Sequence, residues 1–439
     1  MIATLPFRRL LHRAHRACAL LVCLVAALGL AACPRGDEGA GTGTTDDPGA
    51  TAAGAAAPIP DDLPNGLLVA LAELGKNEDG SPKPLPARMG MIRRQGGEWR
   101  YDTFEDADSN VFHKGMAFTP TVGDPGILTL GGSGAYVKLW HADGSSETLW
   151  TKDFGGRFSR MRDAEVGDVD GDGRLDVAVA THDQGVVAVL YQQQDGSWRV
   201  DEIDADAATG FVHEIELGDL DGDGVLEVYA TPSEPNKADG SAQHGEVVRY
   251  TPAKGEGRTV VADLGGHHAK EILVEDVDGD GTDELYVALE AVAGGQVEIR
   301  RYDAGTDPAA GVVIATIDDT QNRFLTVGDV DGDGKKEMVA AAYKSGLFLL
   351  RPAAAGAPWE VTQIDADSGG WEHAAVLADL DGDRTDELYV ASDDHDEIRR
   401  YTWENGAWRQ DLLVLHLDGM GRFTWNLMAA PVSLMPAGE

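Results

Sequence analysis

Residues 168–176 read DVDGDGRLD, and four further segments repeat the pattern: DLDGDGVLE from Asp219, DVDGDGTDE from Asp276, DVDGDGKKE from Asp329 and DLDGDRTDE from Asp379. Successive starts lie 51, 57, 53 and 50 residues apart. A period of this length marks one supersecondary unit used repeatedly. Each copy places carboxylates at its first, third, fifth and ninth positions. They are Asp168, Asp170, Asp172 and Asp176; Asp219, Asp221, Asp223 and Glu227; Asp276, Asp278, Asp280 and Glu284; Asp329, Asp331, Asp333 and Glu337; Asp379, Asp381, Asp383 and Glu387. Alternate residues of a tight loop can turn inward around one ion, and calcium takes about six to eight oxygens. Four carboxylates in nine residues repel one another strongly without a cation. The pattern predicts calcium loops, with four or five ions in all.

An EF-hand would close with a carboxylate at position 12. Here that position holds Val179, Ala230, Val287, Ala340 and Val390. The runs that follow the loops (LDVAVA, LEVYAT, ELYVAL, EMVAAA, ELYVAS) read as short strands, not helices. Glycine at position 6 permits the sharp turn, except in the fifth copy, where Arg384 stands. A left-handed non-glycine residue costs roughly 1 kcal/mol. The fifth loop is therefore expected to be the weakest site.

Loops of this kind, each between two short strands, resemble the calcium form of FG-GAP or VCBS-type repeats in integrin-like β-propellers. The resemblance covers most of residues 65–431 and implies four-stranded blades, with the calcium loop joining the first and second strands. The Phe-Gly and Gly-Ala-Pro signature itself is absent. A template blade has strands at about 160–167, 175–181, 185–192 and 197–203, and the same order follows each later loop. Before them, residues 122–126 (VGDPG) replace the metal loop of a sixth blade, for which no calcium is expected. Earlier still, GLLVALAEL and ARMGMIRRQGGEWRYDTFED supply three strands of a blade that lacks its first. At the far end, GRFTWNLMAAPV (421–432) is similar to the first-strand segment GRFSRMRDAEVG (156–167). The expected fold is an all-β, seven-bladed propeller over residues 65–431. The C-terminal strand joins the N-terminal blade, hiding two open sheet edges, and residues 432–439 form a tail. The Gly-His and Trp-Asp markers of WD repeats are absent.

The N-terminus reads as an export signal. Arg8, Arg9, Arg13 and Arg16 precede an apolar run from Ala17 to Ala32, too short for a span of roughly 20 residues. Leu30-Ala31-Ala32-Cys33 resembles the lipobox of bacterial lipoproteins, which implies cleavage after residue 32 and lipid on Cys33. Residues 33–64 are then an anchor and disordered linker rich in Gly, Ala, Pro, Thr and Asp. Cys18 and Cys23 leave with the signal, so no disulfide is possible. Pro34, rather than Asp, favours the outer membrane or cell surface by resemblance to Gram-negative sorting.

The whole chain has 36 basic and 75 acidic residues, a net of −39. Removing residues 1–32 takes four arginines and no acid, leaving −43. Such a chain is not a general nucleic-acid binder, which needs a basic face. In a chain with few cations, five residues that could be cationic are placed regularly: Arg162, His213, Lys270, Arg323 and His373 each stand six residues before a metal loop. Near the start of each innermost strand, they would ring the axis at the end opposite the loops. Asp163, Glu214 and Glu271 follow three of them, and Trp371, Glu372, His267 and His268 are near in sequence. Such a ring could form a pocket for an anionic or glycan ligand, or could be inter-blade ion pairing that closes the channel. The insert after Thr231 (PSEPNKADGSAQHGE) would lie on the same face.

Three functions suit this organisation. One is a monomeric, lipid-anchored binding or adhesion module for a protein or glycan partner. Another is a lyase-like enzyme acting on polysaccharide, its ring neutralising a uronate and abstracting a proton. The last is a scaffold or assembly factor. No nucleophile elbow, His-rich zinc motif or phosphate loop is present. The ligand assignment is directly testable: Asp276→Ala with Asp280→Ala should lower the number of calcium ions bound per chain by one, counted by atomic emission after equilibration in millimolar-range calcium. An unchanged count would refute it.

Overall fold

The run after each metal loop is apolar at both alternations, as in residues 284–289 (ELYVAL). A strand of that kind must be covered on both faces. Stacked four-stranded sheets meet that requirement in this computed structural model, which describes residues 59–155, 159–182, 185–205, 211–233, 244–291, 295–353, 357–415 and 422–437. The expected signal, Cys33 and linker residues up to 58 lie outside the described residues, as do residues 234–243 of the insert.

The template blade is an antiparallel sheet in chain order: β9 (Met161–Gly167), β10 (Asp176–Thr181), β11 (Val187–Gln192) and β12 (Trp198–Asp204). Its strands begin and end within two residues of the expected limits. Four more sheets have the same order. They are β13 (Phe211–Gly218), β14 (Glu227–Ser233), β15 (Glu246–Thr251) and β16 (Glu256–Asp263); β17 (Ala269–Glu275), β18 (Glu284–Leu289), β19 (Val297–Tyr302) and β20 (Val312–Ile317); β21 (Asn322–Gly328), β22 (Glu337–Ala342), β23 (Leu347–Arg351) and β24 (Glu360–Asp365); and β25 (Ala375–Ala378), β26 (Glu387–Ser392), β27 (Glu397–Glu404) and β28 (Ala407–Leu415).

The other nine strands form one sheet that contains two such sets. The first set is β5 (Val111–Phe118), β6 (Gly126–Gly132), β7 (Ala135–Trp140) and β8 (Ser146–Lys152). The second runs β29 (Arg422–Pro431), β1 (Asn65–Lys76), β3 (Ala87–Gln95) and β4 (Glu98–Asp106). Only the pair Ala72↔Val111 joins the sets. A short ribbon, β2 (Pro82–Pro84), pairs with the end of β1 and was not foreseen. The C-terminal β29 lies antiparallel to β1 from Asn65↔Pro431 to Glu73↔Arg422, and so takes the first position in the N-terminal set.

Apolar clusters lie between successive sets. Phe118 and Leu128 pack with Met161 and Val177; Tyr286 and Ile299 pack with Leu325 and Met338. The N-terminal set packs on both sides, through Leu67 and Leu427 against Tyr389 and Ile398, and through Leu68 and Met89 against Phe112 and Ile127. The first strands β5, β9, β13, β17, β21, β25 and β29 touch in that succession, and β29 also touches β5.

At both ends the described chain makes contacts beyond the expected propeller limits. The linker was expected to reach residue 64, yet Leu63 is buried and Ile59 packs against the same cluster. Arg94 Nε donates to Pro60 O and the Gly96 N–H to Asp62 Oδ1, each at 2.9 Å. These are the only large apolar side chains of the linker, and their burial draws residues 59–64 into the fold. Past β29, the Val432 N–H donates to Pro64 O (2.9 Å) and the Ala437 N–H to Ala142 O (3.0 Å), so residues 432–437 are docked.

Leu427 is 1% exposed and pairs with Val69 across the β29–β1 junction. Leu427→Ala should destabilise the protein by about 2–5 kcal/mol, measured by urea unfolding. A loss under half of 1 kcal/mol would mean that the junction carries little of the stability.

Candidate metal loops and a buried charge cluster

Every acidic loop joins the first strand of its sheet to the second, so all five occupy the same end of their sheets. The loops fold around the first aspartate. Asp276 Oδ1 accepts the N–H groups of Gly279 (2.8 Å) and Asp280 (3.1 Å), and Oδ2 accepts that of Gly281 (2.9 Å). Asp329 and Asp379 repeat all three contacts. Aiming three N–H groups at one carboxylate requires left-handed backbone at positions 4 and 6. Gly279 and Gly281 have φ of 76° and 94°. Arg384, at position 6 of the fifth loop, adopts the same conformation at 74° and keeps the N–H contact to Asp379. Adjacent loops are also tied together: the Asp219 N–H donates to Asp283 Oδ2 and the Asp329 N–H to Asp386 Oδ2, each at 2.8 Å.

Carboxylates converge in every loop, but not identically. One oxygen each from Asp276, Asp278, Asp280 and Glu284 lies within 4.8 Å of the others. In the first loop Asp168, Asp170 and Asp176 converge, while Asp172 is engaged by Arg174. In the remaining loops only positions 1, 3 and 5 gather: Asp219, Asp221 and Asp223; Asp329, Asp331 and Asp333; Asp379, Asp381 and Asp383. Glu227, Glu337 and Glu387 stand apart. Burial pushes the Asp176 carboxyl up to about 6 and those of Glu284, Glu337 and Glu387 up to about 7. Burial thus disfavours the ionised form at position 9, and a positive charge alongside restores it. The donors are all hard oxygens, and Asp381 Oδ1 is buried with no hydrogen-bond partner. The set fits calcium.

The sequence pattern missed the groups that hold position 9. Tyr229, Tyr286 and Tyr389, two residues further along the second strand, donate their hydroxyls to Glu227, Glu284 and Glu387. The third strand adds an arginine. Arg249 Nη1 lies 2.9 Å from Glu227, Arg301 Nη2 3.0 Å from Glu284 and Arg351 Nε 3.6 Å from Glu337; Arg400 pairs closely with Glu387. The available signal was the recurrence of Arg249-Tyr250, Arg301-Tyr302 and Arg400-Tyr401.

The five regularly spaced basic residues are all buried. Three of them converge on one carboxylate: Arg323 Nη2, Lys270 Nζ and Arg162 Nη2 lie 2.5, 3.6 and 3.9 Å from Glu372 Oε2. Lys270 Nζ is also 2.6 Å from His213 Nε2, and Arg162 reaches Glu214 at 3.2 Å. His373 does not join them. Its Nδ1 bonds Ala342 O (2.6 Å) and its Nε2 bonds Ser368 Oγ (2.8 Å). The reason is local: β25 starts only at Ala375, and a left-handed His373 (φ 50°) puts Glu372 where the other sheets place a cation. Two contributors were not anticipated. Lys114 of β5 lies 2.8 Å from Asp163, and Trp425 of β29 lies under Arg162, 5.6 Å from its guanidinium carbon.

Charge states follow from this packing. Burial alone would raise the Glu372 carboxyl, but Arg323, Lys270 and Arg162 outweigh it and hold it down at about 2. Burial, reinforced by Arg323, lowers Lys270 to about 7. Burial, reinforced by Lys270, keeps His213 and His268 neutral.

Comparisons with known proteins agree with this geometry. A profile described as an FG-GAP-like repeat matches residues 168–230, 276–340 and 329–390. No curated protein matches the chain by sequence. Among solved structures, the chain is similar to a candidate 6-phosphogluconolactonase from Bacteroides fragilis, at 13% identity and TM-score 0.52, over 83% of this chain and 98% of that one. It is also similar to a protein from Lactobacillus plantarum, at 13% identity and TM-score 0.50, over 83% and 99%. The Dos1 propeller aligns over 82% and 88%, at 9% identity and TM-score 0.49. At such identities the likeness is one of fold alone.

Glu372→Gln should destabilise the protein by roughly 3–5 kcal/mol at neutral pH, because it strips a buried cluster of its anion. A carboxyl with a depressed folded pKa stabilises above its ordinary value of 4.5 and loses that contribution as pH falls through about 2. The gap between wild type and variant should therefore be widest near neutrality and close as pH drops from 4.5 towards 2, followed by urea unfolding. A gap independent of pH would refute the assignment.

Proposed function

The chain carries FG-GAP-like repeats, and on that premise we propose that it is an exported, lipid-anchored, seven-bladed β-propeller, stiffened by calcium, that serves as a binding module for a protein or glycan partner. Seven four-stranded sets, with first strands in contact from β5 round to β29 and back to β5, support the closed ring. Five converging carboxylate sets at one end of the sheets support four or five calcium ions. An ion at about 100 times its dissociation constant adds about 2.7 kcal/mol. Export and lipid on Cys33 rest on the residue pattern from Arg8 to Cys33.

The observation that carries the binding reading is the burial of the cation cluster. A lyase would need Arg162, His213, Lys270 or Arg323 to meet a uronate. Each is less than a tenth exposed, and the three strongest cations share Glu372. The cluster acts instead as an axial plug. Beside it in sequence, Trp371 is 45% exposed, edge-on to Tyr343, with Arg323 5.7 Å from its ring. An exposed indole backed in this way offers a stacking face to a sugar or an apolar side chain.

Full-length protein in detergent micelles tests these points together. A calcium chelator should lower the melting temperature, and no shift would overturn the calcium reading. A panel of immobilised glycans should show binding that falls at least tenfold in Trp371→Ala. No binding would favour a scaffold role, and release of unsaturated products from a polyuronate would favour a lyase.

A further inference from the structure

The five loops fall into two chemical types. In the first, position 9 is Asp176, and the N–H groups of Gln192 (2.9 Å) and Val169 (3.2 Å) hold it. In the other four it is glutamate, and a third-strand arginine reaches it. The arginines share one face of their sheets. Arg249, Arg301 and Arg400 stand across from Tyr229, Tyr286 and Tyr389, two residues past the glutamate, and Arg351 extends the β22–β23 ladder by one residue to face Glu337 itself. The matching positions in the first sheet are Val189, across from Ala178, and Tyr191, neither of them cationic. Arg174, from the loop itself, reaches Asp172 and not Asp176, in a partly exposed pair screened by water, whereas the position-9 glutamates that the other arginines reach are buried.

Three of these arginines also reach position 3. Arg301 Nη1 lies 2.5 Å from Asp278 Oδ2, Arg351 Nη2 2.8 Å from Asp331 Oδ2 and Arg400 Nη2 3.1 Å from Asp381 Oδ2. Each therefore bridges two carboxylates that the spacing assigns to one ion. A fixed positive charge at that point repels a divalent cation and neutralises part of the charge that attracts it. Ligand charge and rigidity set calcium affinity over orders of magnitude. The same bridge keeps the loop's charge compensated when no ion is bound.

We propose that Arg249, Arg301, Arg351 and Arg400 are built-in counter-cations that weaken calcium binding at four loops, leaving the Asp168 loop as the one high-affinity site. This rests on the calcium reading above and gives it a graded form: one ion held tightly, the others only where calcium is abundant. The side chains act through the carboxylates they pair with and are not themselves ligands.

Equilibrium dialysis of full-length protein against buffered free calcium reads ions bound per chain. Wild type should show one tight ion and a separate weaker class. Asp168→Ala with Asp170→Ala should remove the tight ion alone. Arg301→Met should move one ion from the weak class to the tight, tightening it about tenfold, while Arg301→Lys, which keeps the charge, should leave it in the weak class. A single uniform class in wild type, or weaker binding in Arg301→Met, would overturn the proposal while leaving calcium binding intact. No bound calcium in wild type would overturn both. Circular dichroism of each variant separates loss of a site from loss of the fold.

Discussion

Carboxylates crowded into a turn must be neutralised, and the molecule faces that demand at the same end of five sheets. The first aspartate of each loop is satisfied internally by N–H groups that left-handed residues at positions 4 and 6 point towards it. Positions 3, 5 and 9 find only partial partners, among arginines, tyrosine hydroxyls and single N–H groups. Their oxygens converge to within 4.8 Å in the Asp276 loop, a separation at which like charges repel strongly away from bulk water. Local backbone geometry is thus fixed by one carboxylate, while the remainder create a potential well for a cation. Contacts between neighbouring loops, Asp219 with Asp283 and Asp329 with Asp386, make that well a property of the assembled sheets and not of an isolated turn.

The opposite end meets a similar difficulty with the signs reversed. Arg162, Lys270 and Arg323 come from three different sheets and would repel one another when buried together. Glu372, from a fourth, compensates them. A carboxylate that must serve three cations belongs on a segment free of the strand's regular alternation. The late start of β25 and the left-handed His373 supply that freedom. Buried polar clusters of this kind contribute little net stability, since desolvation offsets attraction, but losing one member is costly. They therefore specify which sheets meet at that end more than they drive folding.

Much of this was legible in the chain because repetition multiplies a weak signal. One run such as LDVAVA is ambiguous, whereas five, each behind the same loop, fix strand order and register, and the template strands were placed within two residues. The match of residues 421–432 to 156–167 indicated where the last strand belongs, since its sequence is that of a first strand. Illegible were contacts made between repeats. Glu372 looked like a neighbour of the cation at position 373, and only the interrupted strand reverses their roles. The third-strand arginines sit 13 to 22 residues beyond the glutamates they reach, a separation that loop chemistry alone does not connect. The linker boundary failed for a different reason: composition averages over a window, and Ile59 and Leu63 are two residues whose burial outweighs their polar surroundings.

The two ends consequently answer to different solution conditions. In the Glu372 cluster the buried cations have their anion within the chain, so that end is governed by pH and by the integrity of the sheet contacts that bring its members together. At the loop end partners are only partly supplied, by arginines at four loops, joined by tyrosine hydroxyls at three of them, and by backbone N–H groups at the first. What is left over must come from the solvent. The proposed calcium would therefore act on the loop end without altering the charge cluster, and its loss would loosen turns before it separated sheets. The apolar clusters between sheets, buried regardless of either charge system, are what keep the strands in place meanwhile.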